Sequence, residues 1–194
     1  MQFENAENFI LEKLRRELPS HLSYHSLEHV KDVYAAAEMI GREENIEVQE
    51  MKLLLTAALF HDAGFLRGPK DHEEESCRIA QKYLPDFEYK HSEIDQICGM
   101  IMATKIPQSP KNHLEEILAD ADLDYLGRDD FFEIGDKLYK ELSIFGVLKS
   151  EDDWNRVQMR FLESHHYFTK TAIRLREVKK EIHLALIKAK LDHV

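Results

Sequence analysis

The sequence predicts an all-α protein. Apolar residues recur at helical steps of three and four along most of the chain, and strands are hard to place anywhere. Seven Gly and five Pro leave little material for the tight turns of an all-β fold. At 194 residues, with 43% apolar and 32% charged side chains, the chain reads as one domain. A chain of that size buries roughly 70% of its extended surface and needs no staples.

The elements follow in order. Residues 3–17 carry Phe3, Ile10, Leu11 and Leu14 and stop before Pro19. Residues 26–43 carry Leu27, Val30, Tyr34 and Ala37 and stop near Gly41. Residues 47–62 contain MKLLLTAALFHD, too apolar for a surface helix, which predicts a central one. Gly64, Gly68 and Pro69 form the next loop. Asp71 reads as an N-cap with Glu74 as its capping-box partner, opening a helix that runs to Leu84. Ser92 reads as the cap of a helix from 93 to about 103, and TKIPQSPKN at 104–112 as a loop. Helices near 113–125 and 129–148 follow, and Asp152 to Val194 reads as one or two more. A compact bundle is expected over about 24–126, with a C-terminal helical extension over about 127–194.

The charge balance limits the partners. Lys and Arg total 26 against 37 Asp and Glu, a formal charge of −11. Such a surface repels phosphate backbones, so a nucleic-acid duplex is not an expected partner. Cys77 and Cys98 lack metal-knuckle spacing and read as buried reduced thiols. The first residues show no apolar signal region, and no apolar run approaches membrane-spanning length. The expectation is a cytoplasmic protein that does not engage membranes, with room for a homodimer.

Polar groups stand where apolar ones belong. His61 continues the stripe of Leu54 and Ala57, and Asp62 continues that of Leu55 and Ala58. Asp122 follows Leu114 and Leu118, and His29 is in register with Val33, Ala36 and Ile40. His25 lies one helical turn before His29, at or just before the helix start. A buried carboxylate is costly unless it is paired or binds a metal. Two imidazoles and two carboxylates suit a catalytic divalent ion: Mn, Fe, Co, Ni, Mg or Zn. Hydrogen-bonded core histidines and aspartates are the competing reading, and spacing alone does not choose.

These residues resemble the signature of the HD superfamily of metal-dependent phosphohydrolases, H…HD…D. His29 stands first, His61-Asp62 lies in LFHDAG, and Asp122 lies in ADADLD. The stretch YHSLEHVKDV is similar to one in class I cyclic-nucleotide phosphodiesterases. The resemblance spans about 24–126, and the C-terminal part resembles the tail of small bacterial predicted HD phosphohydrolases. It implies that His29, His61, Asp62 and Asp122 bind the metal and that His25 protonates the leaving oxygen. Asp62 or Asp122 would accept the proton of the attacking water. Dinuclear HD proteins add two histidines. His72 matches one position, but Thr104-Lys105 stands where the other would be. One metal is therefore expected rather than two. Lys105 is the candidate point charge for a substrate phosphate, with Arg67 and His72 as further substrate contacts.

The expected activity is hydrolysis of a small phosphate mono- or diester, a nucleotide by resemblance. A di-iron HD oxygenase and a nucleotide-sensing HD module without turnover are the alternatives. Four further readings place other side chains. Asp120 and Asp124 belong to a helix end, and Trp154, Phe161 and Leu162 to the core. One of His165 and His166 faces the pocket. The basic run Lys170–Lys190 is a solvated helix face.

Overall fold

The computed structural model describes residues 1–192, and nine α-helices account for most of them. They are α1 (Phe3–Glu17), α2 (Leu27–Glu43), α3 (Val48–Phe60), α4 (His72–Tyr83), α5 (His91–Ala103), α6 (His113–Asp122), α7 (Phe131–Ile144), α8 (Glu151–Ser164) and α9 (Lys170–Asp192). No strand occurs among the described residues. The all-α expectation holds, and the stretch after Asp152 resolves into two helices rather than one. Its last two residues, His193 and Val194, lie outside the described ones.

Helix α3 is the axis of the molecule. Every residue from Leu53 to Phe60 is buried. A helix apolar on all sides lowers its free energy only when neighbours cover it all round. Val30, Val33 and Ile40 of α2, Ile97 and Ile101 of α5, and Ile117 and Leu118 of α6 share its core, with Ile10 and Leu14 of α1.

Two helix starts differ from the sequence reading. Asp71 precedes α4, but its φ of 51° is left-handed and its side chain caps nothing. An N-cap needs extended backbone to turn its oxygen onto the first amides. Helix α5 starts two residues earlier than expected. Glu93, not Ser92, serves its first turn, accepting from Lys90 N–H at 2.8 Å. Asn112 caps α6 by accepting from Glu115 N–H at 3.1 Å.

Buried polar bonds hold the C-terminal helices to the bundle. Asp120 is fully buried and accepts from Phe168 N–H at 2.9 Å, Thr169 N–H at 2.8 Å and the Thr169 hydroxyl at 2.7 Å. It thus grips the chain where α9 begins. Arg176 donates to both oxygens of Asp124, at 2.7 and 3.1 Å. Gly127 lets α9 approach closely, since a Cβ there would lie 2.4 Å from the Arg176 carbonyl oxygen. Lys180 corrects the expectation of a solvated basic face, for it is buried. Its ammonium is satisfied by the His165 carbonyl at 2.8 Å, Glu177 at 2.8 Å and the Tyr167 ring. Cys98 is only half-buried, whereas Cys77 is buried; both are free.

Removing the Asp120 carboxylate leaves buried donors without acceptors, a penalty of roughly 1–3 kcal/mol. Asp120→Ala should therefore lower the free energy of urea unfolding by that amount while the native protein keeps its metal content. Burial also raises the Asp120 carboxyl to about 6, against the opposing hydrogen bonds from Phe168 and Thr169. The native state then holds this proton more tightly than the unfolded chain. The contribution of Asp120 to stability falls as pH rises from 3.8 to about 6. The stability advantage of the wild type over Asp120→Ala should narrow as pH rises across that window and stay constant above it.

Candidate metal centre

The end of α3 creates the site. The last carbonyls of a helix lack intrahelical partners. His61 satisfies one of them, its Nδ1–H donating to the Ala58 carbonyl at 2.8 Å. That bond fixes the tautomer and leaves the Nε2 lone pair facing inward. The chain leaves the helix at Asp62, which turns its carboxylate to the same point. His29 arrives from the first turn of α2 and Asp122 from the last residue of α6.

The four groups converge. His61 Nε2 lies 3.3 Å from His29 Nε2, 3.2 Å from Asp62 Oδ2 and 3.4 Å from Asp122 Oδ1. His29 Nε2 lies 3.4 Å from Asp62 Oδ2 and 3.2 Å from Asp122 Oδ1. Both histidine rings are nearly enclosed by protein. Asp62 Oδ2 is buried and accepts no hydrogen bond. An orphaned buried carboxylate oxygen amid inward-facing imidazole nitrogens is a donor set for a divalent cation. With no thiolate, it is a nitrogen–oxygen set of the catalytic kind.

The charges of these groups depend on one another. Burial opposes the imidazolium of His61, but Asp62 and Asp122 outweigh it and hold its pKa well above the ordinary value. Burial likewise opposes the two carboxylates. The charge of His61 holds Asp62 far below the carboxylate range, and His29 and His61 bring Asp122 down to about 2.

His25 stands beside the cluster, just before α2. Its ring stacks on Phe65, with centroids 4.0 Å apart, and shares a cleft with Asp62 and Asp122. Its Nδ1 bonds to Glu141 of α7. The same carboxylate accepts from the backbone N–H groups of Tyr24 at 2.8 Å and His25 at 3.1 Å. Glu141 is fully buried, yet its hydrogen bonds from His25 and Tyr24 outweigh burial and keep its pKa below the ordinary value. Sequence reading missed Glu141. It sits at i+3 from Leu138 and i+7 from Ile134. That is the same intrusion of a carboxylate on an apolar stripe that singles out Asp62.

The other candidates divide. His72 reaches the site, its Nε2 lying 3.5 Å from Asp62 Oδ1. Gly64 makes that possible, because a Cβ there would lie 2.0 Å from the His72 carbonyl oxygen. Thr104 lines the cleft, its hydroxyl donating to the Ile101 carbonyl at 2.8 Å. Lys105 does not line the cleft; its ammonium pairs with Glu74 at 2.5 Å. Arg67 is largely exposed, 4.0 Å from Glu75, and lies outside the cleft as well. His165 is packed between Phe161 and Tyr167, away from the metal ligands, and burial lowers its pKa to about 3. Trp154 and Leu162 are buried as expected, and with Phe161 they form a wall of the cleft.

The model of the HD domain matches residues 26–124. The chain belongs to the HD-domain family. Among solved structures it is similar to a predicted HD superfamily hydrolase from an uncultured Thermotogales bacterium. That match has a TM-score of 0.64 and 19% identity, over 96% of this chain and 91% of that one. It is also similar to Bacillus subtilis YpgQ, with a TM-score of 0.69 and 20% identity, over 100% of this chain and 98% of that one. YpgQ has also been solved in complex with ADP. A Lactobacillus plantarum protein matches with a TM-score of 0.70 and 14% identity over both whole chains. At these identities the likeness is one of fold. No curated protein matches the sequence. No helix among the described residues is long and apolar enough to cross a membrane.

Two substitutions separate holding the ion from using it. His61→Ala removes a ligand and should abolish the roughly one divalent ion per chain expected by elemental analysis of protein purified without chelator. Glu141→Gln keeps the shape but not the charge of the His25 partner. It should retain the ion in the same assay.

Proposed function

We propose that this HD-domain protein is a divalent-metal-dependent phosphohydrolase acting on a small phosphate mono- or diester. The convergence of His29, His61, Asp62 and Asp122 around an orphaned carboxylate oxygen carries the reading. The donor set fits an octahedral ion with positions left for water and substrate. When bound, such an ion offsets charge on the phosphoryl oxygens and acidifies water near neutral pH.

The chain supplies the rest. Those four residues would hold the ion, and a carboxylate among them, Asp62 or Asp122, would take the proton of an attacking water. Water attacks phosphorus as the bond to the leaving oxygen breaks. His25 delivers a proton to that oxygen, and Glu141 keeps the ring oriented. His72 stands at the rim of the site, where a phosphoryl oxygen would be within reach. Lys105 and Arg67 would need to move to take part. The family resemblance suggests a nucleotide as the remainder of the substrate, and the ADP complex of YpgQ makes nucleotides the natural first members of a screen.

The test is steady-state hydrolysis of a panel of phosphate mono- and diesters by metal-loaded protein, beside His25→Ala. The variant should keep its ion and lose turnover by about 10²–10⁴-fold, the range for loss of a general acid. Glu141→Gln should keep its ion and lose less turnover, because the amide oxygen can still accept from the His25 ring. Loss of the ion from His25→Ala would overturn the role given to His25. Two irons per chain with dioxygen uptake would favour oxygenase chemistry, and nucleotide binding without product would favour a sensing module.

A further inference from the structure

The cleft that opens on the metal ligands has two unlike ends. At one end Asp62, Asp122, Glu73, His25 and His72 face the cavity. The other end runs away from the bundle, between α7 and α8, and its wall is Leu138, Leu142, Trp154, Val157, Phe161 and Leu162. Gln158 is the polar side chain of that half. The whole cleft has a volume of about 210 Å³. No Lys or Arg among the described residues lines it.

These facts bear on what can occupy it. A nucleoside di- or triphosphate carries three or four negative charges and needs cationic partners. The cleft offers three carboxylates, so one divalent ion leaves the set one negative charge in excess before His25 is counted. A single phosphoryl group on the ion, beside His25, is the most that the charge balance tolerates. The inner wall then asks for carbon. Ribose hydroxyls or base edges laid against leucines would lose their water without gaining partners, a cost that apolar groups escape.

Resting on the phosphohydrolase reading but departing from its nucleotide suggestion, we infer that the substrate is a phosphate monoester of an apolar alcohol, its carbon body seated between α7 and α8. Each methylene buried there should tighten binding about three- to four-fold. The wall, rather than a polar contact, then decides which ester is accepted.

Trp154 is the single tryptophan of the chain and part of the wall, so its fluorescence reports occupancy directly. The experiment titrates metal-loaded protein with ethyl, butyl and hexyl phosphate, with AMP and with ATP, reading Trp154 emission. The dissociation constant is expected to fall by about ten-fold or more for each two methylenes. Hexyl phosphate should bind more tightly than AMP, and AMP more tightly than ATP. Val157 is 42% exposed yet lines the cleft, so Val157→Asp should fold normally by circular dichroism. It should flatten the chain-length series and leave metal content unchanged. Affinity independent of chain length in the wild type, or ATP binding more tightly than hexyl phosphate, would overturn the inference. So would a chain-length series unchanged in a folded Val157→Asp. The titration needs no turnover, so the two readings fail separately. Chain-length-dependent binding without hydrolysis sinks the phosphohydrolase and keeps the apolar site. Hydrolysis without chain-length dependence does the reverse.

Discussion

Two imidazoles and two carboxylates must share one point inside a helical bundle, and the rest of the architecture answers to that demand. Left alone, such a cluster is an expensive arrangement, since each carboxylate has lost water and the repulsion between them is poorly screened. The fold supplies the ligands from helix ends rather than helix middles. His61 and Asp62 follow the last turn of α3, and Asp122 is the last residue of α6. Helix C-termini carry the negative end of the macrodipole. Two of them therefore face the ligand point, which adds to its preference for a cation. His29 comes from a helix start, where its ring is free to swing inward. The all-round burial of α3 then has a second consequence. A helix that cannot rotate or slide without exposing leucines fixes the position of the two ligands at its end.

Much of this was legible before any coordinates. One rule singles out the candidate ligands, a ligating side chain continuing an apolar helical stripe, and the structure brings those four side chains near one another. The all-α class and the central helix followed from periodicity alone, because a run such as LLLTAALF has no solvent-tolerant face. What escaped was tertiary. Asp71 has the composition of an N-cap, but its left-handed backbone, which no pattern announces, leaves its side chain capping nothing. Lys180 has the composition of a solvated lysine. Its burial depends on the His165 carbonyl and the Tyr167 ring, both contributed by a distant turn. Lys105 sits next to a residue that lines the cleft, yet its direction is set by Glu74 on another helix.

Glu141 is the more instructive omission. The same stripe rule applied to 134, 138 and 141 would have exposed it, because a carboxylate there interrupts an apolar face. Its partner lies 116 residues away, and no spacing within α7 suggests an interaction with His25. A stripe rule identifies that a buried polar group needs a partner. It does not say which partner.

Glu141 also changes what the C-terminal helices are for. The HD-domain match spans 26–124 and includes all four candidate ligands, which by itself gives α7 and α8 no role beyond packing. Yet α7 carries the carboxylate that orients His25, and one turn earlier it carries Leu138, with Leu142 adjacent, on the wall of the cleft. Residues three apart on a helix share a face. On the proposed phosphohydrolase reading, the group that orients the proton donor and the groups that would touch the substrate body stand on one rigid rod. A substrate that pushes α7 outward would draw Glu141 away from His25, and one too small to fill the wall would leave the rod unsupported. Selection by shape and delivery of the proton would then be mechanically linked, and an ester that fits the wall would also complete the geometry that cleaves it.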